Sequence, residues 1–204
     1  MKLGSLGLNH NQKTVLYAPS FYPTSIDQFL PILGKLSYET NIIIKLHNFS
    51  WYQNQYAYQS EAVSKLDSAF ENIYLVPHKD YNIIPYYGVS DLLVSDISST
   101  MFEYLYVNKP IIMAECFSLR LKHRLFQKRF LKKIDQERME AVDFAFRLDN
   151  AEDLPSLVYH GLEYPMDLEN ERLTAQTQYL YRVDGKASSR LVDAIAEKLL
   201  EGHS

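Results

Sequence analysis

Asp91–Ala114, DLLVSDISSTMFEYLYVNKPIIMA, reads as strand, helix, strand. Leu92–Val94 is an apolar run too short for a helix, and it closes on Asp96. Ser98, Ser99 and Thr100 follow at once, with helical spacing from there to about Val107. Pro110 then fixes the entry to a second apolar strand over Lys109–Ala114. Two buried strands joined by a helix form a parallel, right-handed βαβ unit.

The alternation extends upstream. Thr14–Pro19 (TVLYAP), Asn41–Leu46 (NIIIKL) and Asn72–Val76 (NIYLV) have the composition of buried strands. Between them lie helices over Ser25–Leu36, with Ser25 as N-cap, and over Ser60–Phe70. A short helix over Asp80–Gly88 is expected to stop at Gly88. Downstream the pattern turns helical over Ser118–Lys133, Asp135–Ala141, Ala151–Gly161, Leu168–Tyr181 and Lys186–Glu201. A short sixth strand fits Val142–Arg147. The expected fold is α/β, a Rossmann-like parallel sheet flanked by helices on both faces. Residues 1–204 read as one domain, with 1–12 a loose lead-in and 186–201 a C-terminal helix. Such sheets bind ligands beyond the carboxyl ends of their strands, near the point where strand order reverses.

Composition narrows the function classes. A net charge of −4 offers no general attraction for nucleic acid. Cys116 is the single cysteine, so an internal disulfide is excluded and a reducing compartment is expected. The start of the chain lacks the apolar stretch of a signal peptide, and no run reaches the ~20 residues of a membrane span. A cytoplasmic location follows, with contact at the inner membrane face left open. The six histidines are scattered without metal-ligand spacing, so no metal site is expected. Dinucleotide, P-loop, nucleophile-elbow and paired-cysteine motifs are absent from the sequence.

Four features remain as candidates for chemistry. Asp96 ends a strand, and Ser98, Ser99 and Thr100 open a helix whose free N–H groups suit an anion. A phosphate site and an ordinary N-cap both fit that pattern. Lys45 and His47 share one side of the strand end at residues 45–47, and His47 there serves either phosphate binding or acid–base chemistry, or merely bonds a loop. Glu103 lies one turn beyond the hydroxyls, placed for ribose binding or for solvent. Ser118–Lys133 carries seven Lys/Arg and no acid beside a stripe of Leu119, Phe126 and Phe130. It reads either as a contact for an anionic surface or as a solvated face over a core stripe.

In order and spacing, KTVLYAPSF (13–21), IIIKLHNF (42–49), VSDLLVSDISSTMFEYLYVNKPII (89–112) and VDGKASSRLVDAI (183–195) resemble the CDP-glycerol glycerophosphotransferase family. The match runs over nearly the whole chain. The resemblance implies the donor-binding C-terminal half of a GT-B fold, taking part in teichoic acid or capsule polymer synthesis. It implies His47 as the catalytic histidine of the donor cleft, with Asp96, Ser98, Ser99, Thr100 and Glu103 binding the substrate; Lys45, from its place at the strand end, is expected to bind substrate beside them. Asp184, Gly185, Ser188 and Arg190 correspond to a C-terminal signature read as structural. No cofactor is implied beyond the CDP-linked donor itself. Two positions depart from the pattern: Asn48 stands where proline is common, and Glu103 where aspartate is frequent. The family's acceptor-binding domain has no counterpart before Lys13, so that domain or a partner subunit is expected to complete the enzyme. A UDP-sugar-dependent GT-B transferase or epimerase, and a non-catalytic binding module, are the alternatives.

Overall fold

The computed structural model describes residues 3–117 and 141–201. Strand β1 (Thr14–Ala18) is buried along its whole length, and its residues serve two cores in alternation. Val15 and Tyr17 face one apolar layer, Leu16 and Ala18 the other. This is the two-sided burial expected of a central parallel strand. The remaining strands are β2 (Asn41–Ile44), β3 (Ile73–Leu75), β4 (Leu92–Asp96), β5 (Ile111–Ala114) and β6 (Phe146–Leu148). They form one sheet in the order β3-β2-β1-β4-β5-β6, with every neighbouring pair parallel. Strand order reverses between β1 and β4, where Val15 pairs with Leu92 and Tyr17 with Val94.

Helices cover both faces. On one side α1 (Ile26–Leu36) and α3 (Ala57–Ala69) bury Ile26, Phe29, Leu33 and Val63. Helix α6 (Leu154–Glu163) adds Leu154 and Val158 to the same layer. On the other, α4 (Ile84–Val89), α5 (Ser99–Tyr104) and α7 (Glu169–Leu180) bury Tyr86, Met101, Tyr104 and Ala175. Each such aliphatic side chain contributes roughly 1.5–3 kcal/mol on leaving water. The four-residue helix α2 (Phe49–Tyr52) follows β2, and α8 (Ala187–Glu201) ends the described chain. Leu191, Val192, Ile195 and Leu199 of α8 are all more than half exposed.

The expected strands are all present, each within a few residues of its predicted bounds. Helix α4 begins at Ile84, later than the expected Asp80, with Pro85 in its first turn. A start at Asp80 would put that proline in the helix interior, where it clashes with the preceding turn. Gly88 lies inside α4, which ends at Val89. The sixth strand is confined to Phe146–Leu148 and pairs with β5. The lead-in is pinned where a loose one was expected: Leu8 is buried, and the Asn41 side chain bonds both the N–H and the carbonyl of Asn9. The helices expected over Ser118–Lys133 and Asp135–Ala141 lie outside the described residues. Among the described residues, no helix is long and apolar enough to cross a membrane.

Arg172 of α7 is 1% exposed and meets three acceptors. Its guanidinium donates to Asn108 Oδ1 at 3.2 Å, the Asp167 carbonyl at 2.6 Å and the Pro165 carbonyl at 2.7 Å. Asn108 adopts a left-handed conformation (φ 50°), which asparagine tolerates better than most residues. The contact pins α7 to the segment that follows α5.

Candidate functional site

A cleft of about 440 Å³ opens at the carboxyl ends of the strands. Its walls are the β1–α1 loop (18–23), the β2–α2 connection (45–48), Tyr81 and Ile83, and the β4–α5 turn (97–100). It therefore sits at the reversal of strand order, the position where parallel α/β sheets bind ligands.

The β1–α1 wall is fastened from below. Asp96, at the end of β4 and 1% exposed, accepts the Ser20 N–H at 2.9 Å through Oδ2. Its Oδ1 accepts the Ser25 N–H at 3.2 Å and the Ser25 hydroxyl at 2.5 Å. Ser25 is thus no side-chain N-cap for α1: its hydroxyl is spent on Asp96 and on the Tyr17 hydroxyl at 2.7 Å. Burial drives the Asp96 carboxyl up to about 6, against the lowering effect of these hydrogen bonds.

His47 and Lys45, at the end of the neighbouring strand β2, form the adjacent side. The Phe49 N–H donates to His47 Nδ1 at 3.1 Å, which leaves the proton of the neutral ring on Nε2. Burial, and secondarily the charge of Lys45, holds the imidazole below its ordinary pKa, so it is neutral at pH 7. The Phe21 and Phe49 rings pack on it with centroids 4.8 and 4.9 Å away. Lys45 is 8% exposed, and burial lowers its pKa while Asp80 acts in the other direction.

Ser98, Ser99 and Thr100 supply the third side. Ser98 has extended backbone and makes no side-chain cap; its hydroxyl meets that of Ser95 at 3.0 Å. Helix α5 is only six residues long, so the anion-handling capacity lies in the hydroxyls and Lys45 more than in a helix dipole. Lys45, the neutral imidazole of His47 and the hydroxyl-bearing residues Ser98, Ser99 and Thr100 line one cleft, a set of groups that suits a diphosphate.

The structure therefore brings Lys45, His47, Ser98, Ser99 and Thr100 together. Asp96 and Glu103 are not among the residues lining the cleft. Asp96 lies beneath it with its oxygens committed to the loop. The Glu103 carboxylate accepts the Tyr87 hydroxyl at 3.0 Å. Residues not singled out in the sequence also shape the site. Phe21 stacks on His47, and Tyr81 lines the rim. Gln59 is fully buried behind Phe21. No local pattern marks these three, because their partners come from other segments. Among the described residues, no group of three or more His, Cys, Asp or Glu is placed to hold a metal ion.

The family model for CDP-Glycerol:Poly(glycerophosphate) glycerophosphotransferase matches residues 3–197. The chain belongs to this family. Within it, the teichoic acid ribitol-phosphate primase of Bacillus spizizenii is 27% identical over 210 residues, covering 96% of this chain and 46% of that protein. The teichoic acid poly(glycerol phosphate) polymerase of the same organism is 27% identical over 116 residues, covering 52% of this chain and 27% of that protein. Among solved structures, the wall teichoic acid polymerase TagF superposes with a TM-score of 0.63 at 19% identity, over 98% of this chain and 45% of that one. An α,α-trehalose-phosphate synthase (UDP-forming) from Burkholderia vietnamiensis gives 0.59 at 10% identity, over 99% and 47%. These likenesses establish a glycosyltransferase-like α/β fold. The chain spans less than half the length of each of these relatives.

Proposed function

We propose that this chain is the donor-nucleotide domain of a transferase that moves a CDP-activated alcohol phosphate, CDP-glycerol or a close analogue such as CDP-ribitol, to a polymer or glycolipid acceptor. The observation carrying this reading is the convergence of Lys45, His47, Ser98, Ser99 and Thr100 on one cleft, in a chain of this family. The TagF neighbour was itself soaked with CDPG. In the complete enzyme an acceptor hydroxyl attacks the β-phosphorus, its oxygen forms the new P–O bond, and CMP departs with the bridging oxygen. Lys45, the hydroxyls and the Nε2–H of His47 stabilise the charge that builds on the diphosphate. The base that takes the acceptor's proton comes from an acceptor-side half or partner subunit.

Thermal shift with CDP, CMP, UDP, AMP and GMP tests the donor assignment. Cytidine nucleotides should raise the melting temperature most, by roughly 2.7 kcal/mol of stabilisation at about 100 times Kd. Equal or absent shifts would remove the donor reading. A larger shift with UDP favours the second reading, a UDP-sugar transferase, which the likeness to a UDP-forming synthase motivates. We further propose that the basic segment 118–133 meets an anionic membrane surface, the competing reading being a solvated face over a core stripe. Co-sedimentation should then require anionic liposomes and fall at high salt, whereas equal binding to neutral liposomes would refute it.

A further inference from the structure

Two loops border the cleft, and one buried side chain bonds to the first and to the helix that follows the second. The β1–α1 loop carries Phe21, and the β2–α2 connection carries His47. Gln59, in the first turn of α3, is 0% exposed behind them. Its Nε2 donates to the Phe21 carbonyl at 2.9 Å, and its Oε1 accepts from the Ser50 hydroxyl of α2 at 2.6 Å. Both ends of the amide are thereby engaged, one with the β1–α1 loop and one with α2, directly after the connection that carries His47.

What this clamp presents to the cleft is the ring of Phe21. That ring packs on the His47 imidazole at 4.8 Å, and on Phe49 and Tyr56 at 4.8 and 5.1 Å. Asp96 fixes the neighbouring amide of Ser20 and the far end of the loop at Ser25, but neither bond orients the Phe21 peptide. Gln59 does. On the other side, Ser50 follows Phe49, whose N–H holds His47 Nδ1. A glutamine buried this deeply is costly unless both of its polar ends are bonded, and apolar residues would fill the same space without that demand.

We propose that Gln59 is a positioning residue for His47: it locks the β1–α1 loop to α2 so that the Phe21 ring and the Phe49 N–H hold the imidazole in one orientation and one tautomer. The proposal rests on reading His47 as the group that meets the donor phosphates, and its test does not require a donor.

The test is a ¹⁵N NMR titration of histidine-labelled, unliganded chain as wild type, Gln59→Met and Ser50→Ala, with CDP affinity measured alongside. Gln59→Met preserves length and volume while removing both bonds. The expected result is that its His47 Nδ1 and Nε2 shifts move toward each other as tautomers mix, that its titration midpoint rises, and that CDP binding weakens about tenfold. Ser50→Ala should show the same changes at smaller size. His47 shifts and midpoint unchanged from wild type in Gln59→Met would overturn the proposal, even with a lower melting temperature, because Gln59 would then be structural only. Should Gln59→Met fail to fold, unchanged His47 signals in Ser50→Ala overturn it equally. If no protein binds CDP yet the His47 signals move as described, the positioning role stands and the donor reading falls.

Discussion

Asp96 and Ser25, 71 residues apart in the chain, share a buried hydrogen bond of 2.5 Å that fastens the far end of a cleft wall to the end of β4. The carboxyl responsible has its pKa raised from 3.8 to about 6, with burial as the largest cause. A raised acid holds its proton more tightly folded than unfolded. Its contribution to stability is therefore full below pH 3.8 and lost as pH climbs through 6. Asp96→Asn abolishes that titration. The stability of wild type relative to Asp96→Asn should fall by about 2 kcal/mol between pH 4 and pH 7, read from urea unfolding at both. An equal difference at the two pH values would mean that the carboxyl titrates normally.

Ser98→Ala combined with Ser99→Ala should weaken CDP binding while barely moving the melting temperature. Ser98 makes no cap for α5, so removing its hydroxyl costs the fold only the bond to Ser95. Each hydrogen bond lost to a charged phosphate costs on the order of 1.5–3 kcal/mol. Calorimetry showing unchanged affinity together with a lower melting temperature would reverse the assignment.

His47 should titrate below 6.5 in the free chain, since burial and then Lys45 both disfavour the imidazolium. Lys45→Met removes only the second cause. Its His47 midpoint should rise but stay below 6.5, as followed by NMR. Stability linked to this group is present above pH 6.5 and is lost as pH falls through the depressed native value. A midpoint of 6.5 or higher in wild type would show a solvated, unconstrained ring.

Arg172→Met should be among the most damaging substitutions remote from the cleft. It strands three acceptors: Asn108 Oδ1 and the carbonyls of Pro165 and Asp167. At roughly 1–3 kcal/mol for each group left unsatisfied, the loss exceeds about 3 kcal/mol, or on the order of 10 °C in melting temperature. Arg172→Lys should recover little of this, because one ammonium cannot reproduce a planar fork. A shift of only a degree or two would show that water replaces the lost donors.

The sheet was legible because its information is local. TVLYAP, NIIIKL and DLLVSD are short apolar runs bounded by polar residues or proline, and period and length alone mark them as buried strands. The cleft's position followed from the alternation of elements, and its lining by Lys45, His47 and Ser98–Thr100 followed from their places at strand ends. The limits appear where a side chain's meaning depends on distant partners. Asp96 looks like a ligand until Ser20 and Ser25 are brought beneath the cleft to bond it. Ser25 has the composition of an N-cap, yet its hydroxyl donates to Asp96 and is engaged with the Tyr17 hydroxyl, and its oxygen accepts from no N–H of the helix. Gln59 sits in a helix with little amphipathic contrast, so nothing in its neighbourhood announces a buried amide. Tyr87 lies 16 residues from Glu103, and only the packing of α4 beside α5 reveals that pair.

The reversal of strand order also bears on how the molecule is assembled. Strand β1 meets β2 through Thr14–Asn41 and Val15–Ile42, a modest separation along the chain. Its other neighbour is β4, where Val15 meets Leu92 and Ala18 meets Ser95. Closing the longer loop carries the larger entropy cost, and contacts of high sequence separation form slowly. The seam between β1 and β4 is thus the pairing in the sheet that brings together the most distant parts of the chain among β1–β4. The cleft straddles that seam. Removing β4 and the turn after it would take away Ser98, Ser99 and Thr100 and with them one wall of the cleft.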